Sequence, residues 1–250
     1  MTSTSNASKP IIIVKELKKS YGTHVILNGF NMVLNEGENL VIMGKSGSGK
    51  SVMIKCIIGL EEPDSGIITV MGKNITELNQ EELDETRTEI GFLFQGSALY
   101  DSMSIRENLE FPLKRHIKKF GEIEDTTPLV MEALDNVGLG NTIDLMPKEL
   151  SGGMKRRIAL ARTLILKPKI ILYDEPTTGL DPITGKEILE LMMSIQEKYK
   201  TSSIIITHDP DYAKVIANRM ILLIDGINYA EGTFDELSQS TDPKIQPFFK

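Results

Sequence analysis

The sequence predicts an α/β fold with a mostly parallel core sheet, an antiparallel β flank and an inserted helical subdomain. Three observations predict it: strand-length apolar runs, alternating segments beside glycine-containing turns, and a central stretch with helical spacing. The 250 residues, 40% hydrophobic and 25% charged, suit an ordinary globular domain with a sizeable core. We expect this domain over 10–238, between a disordered N-terminal tail over 1–9 and a C-terminal tail over 239–250.

The expected core strands are almost continuously apolar, which is typical of parallel strands buried on both faces. Three further segments, Ile11–Leu17, Val25–Leu34 and Ile67–Val70, alternate more and predict the antiparallel flank. The expected core strands are Asn39–Met43, Ile90–Phe94, Lys169–Tyr173, Ser203–Thr207 and Met220–Ile224.

The helical subdomain is expected over about 97–166, where the spacing of apolar residues changes. One helix is expected to begin at Pro128 and stop at Gly138, because proline suits a first helical turn and glycine ends a helix. Ser151 is expected to cap a second helix that runs to a stop near Pro168. These helices would form an insertion in the α/β core.

Charge, cysteine content and hydropathy exclude several classes of protein. The chain has 28 Lys+Arg against 35 Asp+Glu, and this acidic balance argues against a nucleic-acid partner. One cysteine, Cys56, excludes a disulfide framework and a cysteine-based metal cluster built from this chain alone. No apolar run approaches the roughly 18–20 residues of a membrane-spanning helix, and the N-terminus lacks a secretory signal. We expect a cytosolic protein that meets a membrane only at its surface.

Residues 44–51 match the phosphate-binding loop pattern G-x-x-x-x-G-K-[ST], between an expected strand and an expected helix. Glycines allow successive backbone N–H groups to face a β-phosphate, and the helix N-terminus adds positive potential. Lys50 can then reach the β- and γ-phosphates, and the Ser51 hydroxyl can ligate Mg²⁺. The motif therefore implies a nucleotide site formed by Gly44, Lys45, Ser46, Gly47, Ser48, Gly49, Lys50 and Ser51.

Two carboxylates, Asp174 and Glu175, follow another expected strand. An acid at the C-terminal tip of a strand beside a phosphate loop suits a Mg²⁺-organising carboxylate, so Asp174 is a candidate metal ligand. Glu175 can polarise a water for in-line attack on a γ-phosphate. Alone, an acidic pair after a strand is weak evidence, but the phosphate loop makes it strong.

One more segment, Leu150–Met154, places a serine and two glycines at the start of a basic helix. Taken in order with the phosphate loop, Gln95, Asp174-Glu175, Gly179–Asp181 and His208, it resembles the ATP-binding cassette (ABC) ATPases over about 10–235. The resemblance implies a P-loop NTPase fold, ATP and Mg²⁺ as cofactors, ATP hydrolysis, and a head-to-tail homodimer around two ATPs.

The resemblance also implies a role for each matched position. It gives Tyr21 the stacking contact with adenine, Gln95 the sensing of Mg²⁺ and attacking water, and His208 a γ-phosphate contact. Asp181 belongs to a loop that crosses the dimer interface. Gln95, Lys50, Glu175 and His208 form the implied catalytic set, and the residues that reach the nucleotide of the opposite subunit are Ser151, Gly152 and Gly153.

The stretch 91–113 further resembles the ATPase subunits of Mla/Mce-linked transporters, which move phospholipids or other lipids between membranes of the cell envelope. The signature ending in Met154 and followed by Arg156-Arg157, and the segment 179–184, indicate the same subfamily. That resemblance implies an integral membrane permease as partner, with an Mce-domain lipid-binding subunit and a small regulatory subunit, at the cytoplasmic face of the inner membrane. Leu99, Tyr100 and Met103 are expected to line a groove for a short permease helix, with packing inside the helical subdomain as the alternative.

Other interpretations remain open. Amino-acid importers and lipoprotein-releasing transporters share much of the pattern, and a soluble cassette scaffold of the iron–sulfur assembly type has similar length. A DNA-repair or ribosome-associated cassette fits poorly, because the chain has one cassette and an acidic net charge. Met154 replaces the frequent Gln of the signature and Tyr173 a more usual aliphatic, but neither must contact phosphate. His24 and His116 lie outside every motif and are expected at the surface.

Overall fold

Two sheets and the helices around them make up the fold in the computed structural model, which describes residues 9–116, 121 and 123–250. The strands are β1 (Pro10–Tyr21), β2 (His24–Asn35), β3 (Asn39–Met43), β4 (Ser65–Val70), β5 (Lys73–Asn74), β6 (Ile90–Leu93), β7 (Ile170–Asp174), β8 (Ser202–Ile206), β9 (Arg219–Ile224) and β10 (Ile227–Gly232). The α-helices are α1 (Lys50–Ile57), α2 (Gln80–Thr88), α3 (Ile105–Arg115), α4 (Thr127–Asp135), α5 (Gly152–Leu164), α6 (Pro182–Tyr199), α7 (Pro210–Ile216) and α8 (Phe234–Ser238).

The larger sheet has six strands in the order β10-β9-β3-β8-β7-β6. Its five strands from β9 to β6 are parallel, and only β10 at one edge is antiparallel to its neighbour. Every residue of β3, β7 and β8 is buried, which explains why these strands read as continuous apolar runs. The predicted α/β fold with a mostly parallel core sheet is therefore confirmed. All five predicted core strands form, with ends shifted by a residue or so.

The smaller sheet is antiparallel, in the order β2-β1-β4-β5, and it is the predicted β flank. Ile12 pairs with Leu34 on one side and with Val70 on the other, and all three side chains are buried. The buried face of this sheet packs with α1 and one face of the larger sheet in a single apolar cluster that includes Phe30 and Met53. Helix α1 is thus enclosed by apolar neighbours, which fixes the phosphate loop that precedes it.

The helical subdomain has its own apolar cluster, built from α3, α4 and α5. Pro128 lies in the first turn of α4, and Gly138 follows that helix with a φ of +69°. The Ser151 hydroxyl accepts a hydrogen bond from the Met154 N–H at 3.2 Å and so caps α5, as its position before an apolar-periodic run predicts. Between α3 and α4, residues 117–120 and 122 lie outside the described residues.

The C-terminal residues, for which the sequence predicts only a tail over 239–250, pack on the larger sheet and its helices. Ile245 is buried, and Phe249 meets the ring of Phe234 edge-on at 5.4 Å. The Tyr229 hydroxyl donates to Asp242 at 2.8 Å. The predicted N-terminal tail lies outside the described residues except for Lys9. Among the helices that the structure describes, none combines the length and the apolar character needed to cross a bilayer.

Candidate active site

The phosphate loop turns tightly between the end of β3 and the start of α1. A Cβ on Gly44 would lie 2.5 Å from the Ser48 hydroxyl oxygen and 2.7 Å from the Leu223 carbonyl oxygen, so a larger residue cannot replace it there. Gly49 has a φ of +101°, a backbone conformation that L side chains rarely adopt. The glycines that the motif requires are therefore required by this backbone as well.

The start of α1 fits an anionic ligand. Gly49 stands at its N-cap without a capping side chain, and its first turn carries no acidic residue, whereas Ser151 and Asp181 cap α5 and α6. The Ser48 hydroxyl oxygen is buried and has no hydrogen-bond partner. Backbone N–H groups at an uncapped helix start and an unpaired hydroxyl are donors that phosphate oxygens can satisfy. The loop thus fits the phosphates of a nucleotide.

Lys50 is held within this loop. Its ammonium nitrogen is buried and donates to the carbonyls of Gly44 at 2.8 Å and Lys45 at 3.0 Å. Burial lowers the pKa of Lys50, while the carboxylates of Glu175 and Asp174 act in the opposite direction. The cation is therefore buried near two acids, Asp174 at the end of β7 and Glu175 directly after it.

Ser51 and Asp174, the two candidate metal ligands that follow β3 and end β7, lie together. The Ser51 hydroxyl donates to a carboxylate oxygen of Asp174 at 3.2 Å. Burial is the main cause that raises the pKa of Asp174, and the Ser51 hydrogen bond opposes it. A hydroxyl and a carboxylate are hard oxygen donors of the kind that Mg²⁺ prefers. Gln95, the third candidate, is exposed two residues beyond β6.

Glu175 follows Asp174 in a left-handed backbone conformation, with a φ of +48°. Such a conformation costs a non-glycine residue about 1 kcal/mol or more, and residues of this kind cluster at active sites. The Glu175 carboxylate accepts a hydrogen bond from the Thr178 hydroxyl at 2.8 Å and lies 3.4 Å from Nδ1 of His208. A cavity of about 440 Å³ is bordered by Gly44, Lys50, Glu175 and His208. The chain thus collects an ammonium, a carboxylate and an imidazole around one space.

Other predicted site residues lie elsewhere. Tyr21 is 48% exposed and its hydroxyl donates to Glu61 at 2.6 Å. Within the described residues, it does not border either of the cavities at the phosphate loop.

The signature residues 151–153 and the Asp181 loop adjoin one another, because a Cβ on Gly153 would lie 2.6 Å from the Thr184 methyl carbon. Ser151, Gly152 and Asp181 are exposed.

Sequence reasoning missed several residues that border the phosphate loop. His24, predicted only as a surface residue, lines a second cavity of about 440 Å³ with Lys45 and Ser48. Pro247 and Phe248 border both cavities, and Lys250 borders the one that contains Glu175. No motif marks these residues: His24 begins β2, and Pro247, Phe248 and Lys250 reach the loop only through the folding of the C-terminal segment.

Comparison with known proteins places this geometry in a family. The family model described as ABC transporter matches residues 27–178, which is more than half of the chain. The chain belongs to the ABC transporter family. The ATP-binding and ATP-hydrolysing activity and the cofactors ATP and Mg²⁺, which the resemblance implies, are therefore established for it.

Relatives with different transport roles resemble the ABC chain over nearly its full length. A probable ribonucleotide transport ATP-binding protein mkl of Mycobacterium leprae is 40% identical over 238 residues, which are 95% of this chain and 68% of the relative. The intermembrane phospholipid transport ATP-binding protein MlaF of Haemophilus influenzae is 38% identical, over 96% of this chain and 90% of the relative. The methionine import ATP-binding protein MetN of Campylobacter jejuni is 36% identical, over 95% and 75%.

Solved ABC structures share the fold. A dimeric, post-hydrolysis state of the ATP-binding cassette MJ0796 bound to ADP and phosphate superposes with a TM-score of 0.81 at 34% identity, over 89% of this chain and 98% of the other. The cbiO1 protein of Clostridium perfringens, part of the transporter complex cbiONQ, gives a TM-score of 0.82 at 30% identity, over 92% and 90%. The predicted P-loop NTPase fold of the ABC type is confirmed.

Because the Asp174 carboxylate is buried, we expect it to lower the stability of the nucleotide-free protein while being needed for ATP hydrolysis. Asp174→Asn should raise the free energy of unfolding of the nucleotide-free protein by about 1 kcal/mol, or roughly 2–4 °C in melting temperature, because it removes a buried charge. The same change should abolish Mg²⁺-dependent ATP hydrolysis. Thermal melts without nucleotide, beside ATPase assays, measure both effects.

The raised pKa of Asp174 also predicts how the stability of the folded protein changes with pH. Since the folded pKa of Asp174 is raised, the folded state binds more protons than the unfolded state above the ordinary carboxyl range, and this contribution to stability falls as pH rises to the raised pKa. Asp174→Asn should flatten that fall, whereas Asp101→Asn, at an exposed aspartate, should leave it unchanged. An Asn variant that melts below the wild type at neutral pH contradicts the assignment.

Proposed function

We propose that this chain is the ATPase subunit of an ABC system that transports phospholipid or another lipid. It would act as a homodimer on the cytoplasmic face of the inner membrane, bound to an integral membrane permease. The observation that carries the permease contact is an exposed aromatic pair directly beyond the Gln95 loop. An Mce-domain subunit and a small regulatory subunit are further partners that the resemblance of 91–113 supports.

The proposed chemistry follows from the residues around the cavity. The amides of the phosphate loop and the Lys50 ammonium would bind the phosphates, and Ser51 and Asp174 would hold Mg²⁺. The chemistry that Mg²⁺ would supply when held there is neutralisation of the charge on the phosphate oxygens. Glu175 takes up a proton from the attacking water, whose oxygen forms a bond to the γ-phosphorus while the bond to the β–γ bridging oxygen breaks and ADP leaves. His208, whose Nδ1 lies 3.4 Å from the Glu175 carboxylate, would contact the γ-phosphate.

The proposed dimer follows from the residues that the cavity lacks. Ser151 and Gly152 are exposed at the start of α5, and Asp181 is exposed at the start of α6. A head-to-tail second copy would bring these residues to the phosphate loop of its partner, in a two-fold arrangement. A similar structure, the ADP- and phosphate-bound cassette MJ0796, is dimeric, which supports a dimer of this chain.

The proposed permease-docking surface consists of Tyr100 and Phe111. Their rings lie 5.0 Å apart, and the two residues are 44% and 39% exposed. Arg162 lies 5.8 Å from the Tyr100 ring, so the ring is held against a fixed cation. Of the residues first expected in the groove, Leu99 instead packs between two apolar clusters, since its side chain turns towards the core. Exposed aromatic pairs of this kind are typical anchors of protein interfaces.

The lipid assignment is supported by the similarity to MlaF, which covers 90% of that protein. The second candidate is import of an amino acid, and the similarity to MetN over 75% of its length supports it. The two candidates predict different cellular defects when the ATPase is uncoupled. A changed lipid distribution in the envelope favours the first, and lost methionine uptake favours the second.

Glu175 and Lys50 should fail in different ways. Glu175→Gln should keep ATP binding and lower turnover by about 10²–10⁴, the range for a positioned base, and should leave an ATP-bound dimer that hydrolyses slowly. Lys50→Ala should weaken nucleotide binding as well, because it removes a contact made before reaction. Nucleotide titrations, ATPase assays and light scattering measure these effects. Equal losses of ATP affinity in both variants would contradict this division of roles.

The docking surface is tested by Tyr100→Glu. It should weaken association with the co-purifying permease by about 2 kcal/mol, roughly 30-fold, because a charge replaces an interface anchor. ATP binding and melting temperature should not change, since Tyr100 is 44% exposed. The matched control is Val215→Glu, which places the same charge at a 58% exposed residue of α7.

Quantitative pull-down from detergent-solubilised membranes, beside thermal melts, distinguishes the outcomes. Loss of permease with an unchanged melting temperature supports docking. Equal retention by both variants, or a large fall in melting temperature for Tyr100→Glu, contradicts it. Lipid analysis and methionine uptake in the same cells then decide between the two transport roles.

A further inference from the structure

Arg156 is a buried arginine on α5 whose charge no carboxylate balances among the described residues. It is 4% exposed, and no ion pair of the described chain includes it. Its guanidinium donates to the carbonyls of Phe94 at 2.7 Å, of Gln95, and of Thr178 at 3.4 Å. The Nε atom is buried without a hydrogen-bond partner.

A buried cation with only carbonyl partners is an expensive feature of a fold. Moving an ammonium- or guanidinium-like charge into the interior carries a large desolvation penalty even after relaxation. Burial also lowers the pKa of Arg156, with no acidic neighbour to oppose it. The planar fork of arginine can join two backbone segments at once, which a lysine ammonium on its flexible stem does not reproduce. The burial of Arg156 is therefore better explained by the two backbone segments that it joins than by a contribution to stability.

The two segments that Arg156 connects are the Gln95 loop after β6 and the turn after β7. Both contain a non-glycine residue with left-handed backbone, Ala98 at a φ of 49° and Glu175 at 48°. Such residues persist only when surrounding contacts hold them. For the Gln95 loop, part of that support comes again from α5, because Arg162 donates to the Ala98 carbonyl at 2.9 Å.

A short path leads from Arg156 to the Glu175 carboxylate. Arg156 contacts the Thr178 carbonyl, and the Thr178 hydroxyl donates to the Glu175 carboxylate at 2.8 Å. The Thr178 N–H also donates to the Glu175 carbonyl at 3.2 Å, which closes the turn. Helix α5 lies directly against β6, because a Cβ on Gly91 would be 2.4 Å from the Thr163 methyl carbon. The signature helix therefore reaches both loops from a fixed position.

We propose that Arg156 is a positioning residue that joins the Gln95 loop to the turn carrying Glu175 and so fixes the geometry of both loops at once. The inference rests on the proposed roles of Gln95 and Glu175 in hydrolysis. Arg156 itself contacts neither side chain, and it acts through backbone carbonyls and Thr178. Its effect should appear in turnover and not in nucleotide affinity.

The experiment compares Arg156→Gln and Arg156→Lys in the full chain with Arg87→Gln as a matched control. Arg87 also donates to two carbonyls, those of Ile58 at 3.0 Å and Gly59 at 2.7 Å, but these lie after α1 and away from the cavity. ATPase rates over a range of Mg-ATP concentrations give kcat and KM, fluorescent nucleotide titration gives affinity, and thermal melts report folding.

Both Arg156 variants should lower kcat about 10- to 100-fold, since a displacement of about 1 Å in catalytic groups has an effect of that size. Nucleotide affinity should stay within about twofold, and Arg87→Gln should change neither quantity by more than that. Arg156→Lys keeps the charge and most of the volume but loses the planar guanidinium that bonds two segments at once. It therefore tests that geometry even if the Gln variant fails to fold. Full kcat in the Lys variant would overturn the proposal.

A double-mutant cycle separates this inference from the proposed function. In a Gln95→Ala background, a second change at Arg156 should cost much less than it does alone, because both act on one loop. Additive losses would overturn the positioning role while leaving the assigned site intact. If Gln95→Ala and Glu175→Gln each retain full turnover, the roles assigned to those residues fail instead, and the Arg156 proposal falls with them.

Discussion

The parallel order of β3, β8, β7 and β6 is the constraint on which the rest of the structure depends. Parallel neighbours bring their carboxyl ends to one edge of the sheet, so loops that are far apart in sequence meet there. The phosphate loop follows β3, and His208 follows β8. Asp174 ends β7 with Glu175 directly after it, and Gln95 follows β6. Every residue of β3, β7 and β8 is buried, which supports that edge of the sheet, and the arrangement of the candidate site is a consequence of strand order.

Three charged side chains are buried at or near this edge of the sheet, where their desolvation opposes folding but suits a functional site. Lys50, Asp174 and Arg156 are each less than 9% exposed, and burial shifts the pKa of each towards its neutral form. None of them has the partner set that a purely structural ion pair would have. Lys50 and Asp174 are completed by a ligand in the proposed mechanism, whereas Arg156 is held by carbonyls of two loops. Perturbed groups of this kind are characteristic of functional sites.

Much of this arrangement can be predicted from the sequence, and the reason is local. Gly44–Ser51 and Ser151–Gly153 are short motifs in which neighbouring residues determine the backbone conformation. Continuous apolar runs identify the parallel strands. His208 and Asp181 belong to no distinctive local motif, and they are identified only by their order among the motifs shared with the ABC ATPases. The packing of the C-terminal residues, the cavity contact of His24 and the role of Arg156 depend on contacts between distant segments. Periodicity and spacing do not encode such contacts.

In the proposed dimer, one chain holds only half of each ATP site. The most direct test mixes two inactive variants, Lys50→Ala and Ser151→Arg, in equal amounts and allows subunits to exchange. Half of the dimers should then be mixed, each with one intact composite site, so ATPase activity should recover to about a quarter of the wild-type rate if the sites act independently. A mixture no more active than either variant alone would contradict the shared site.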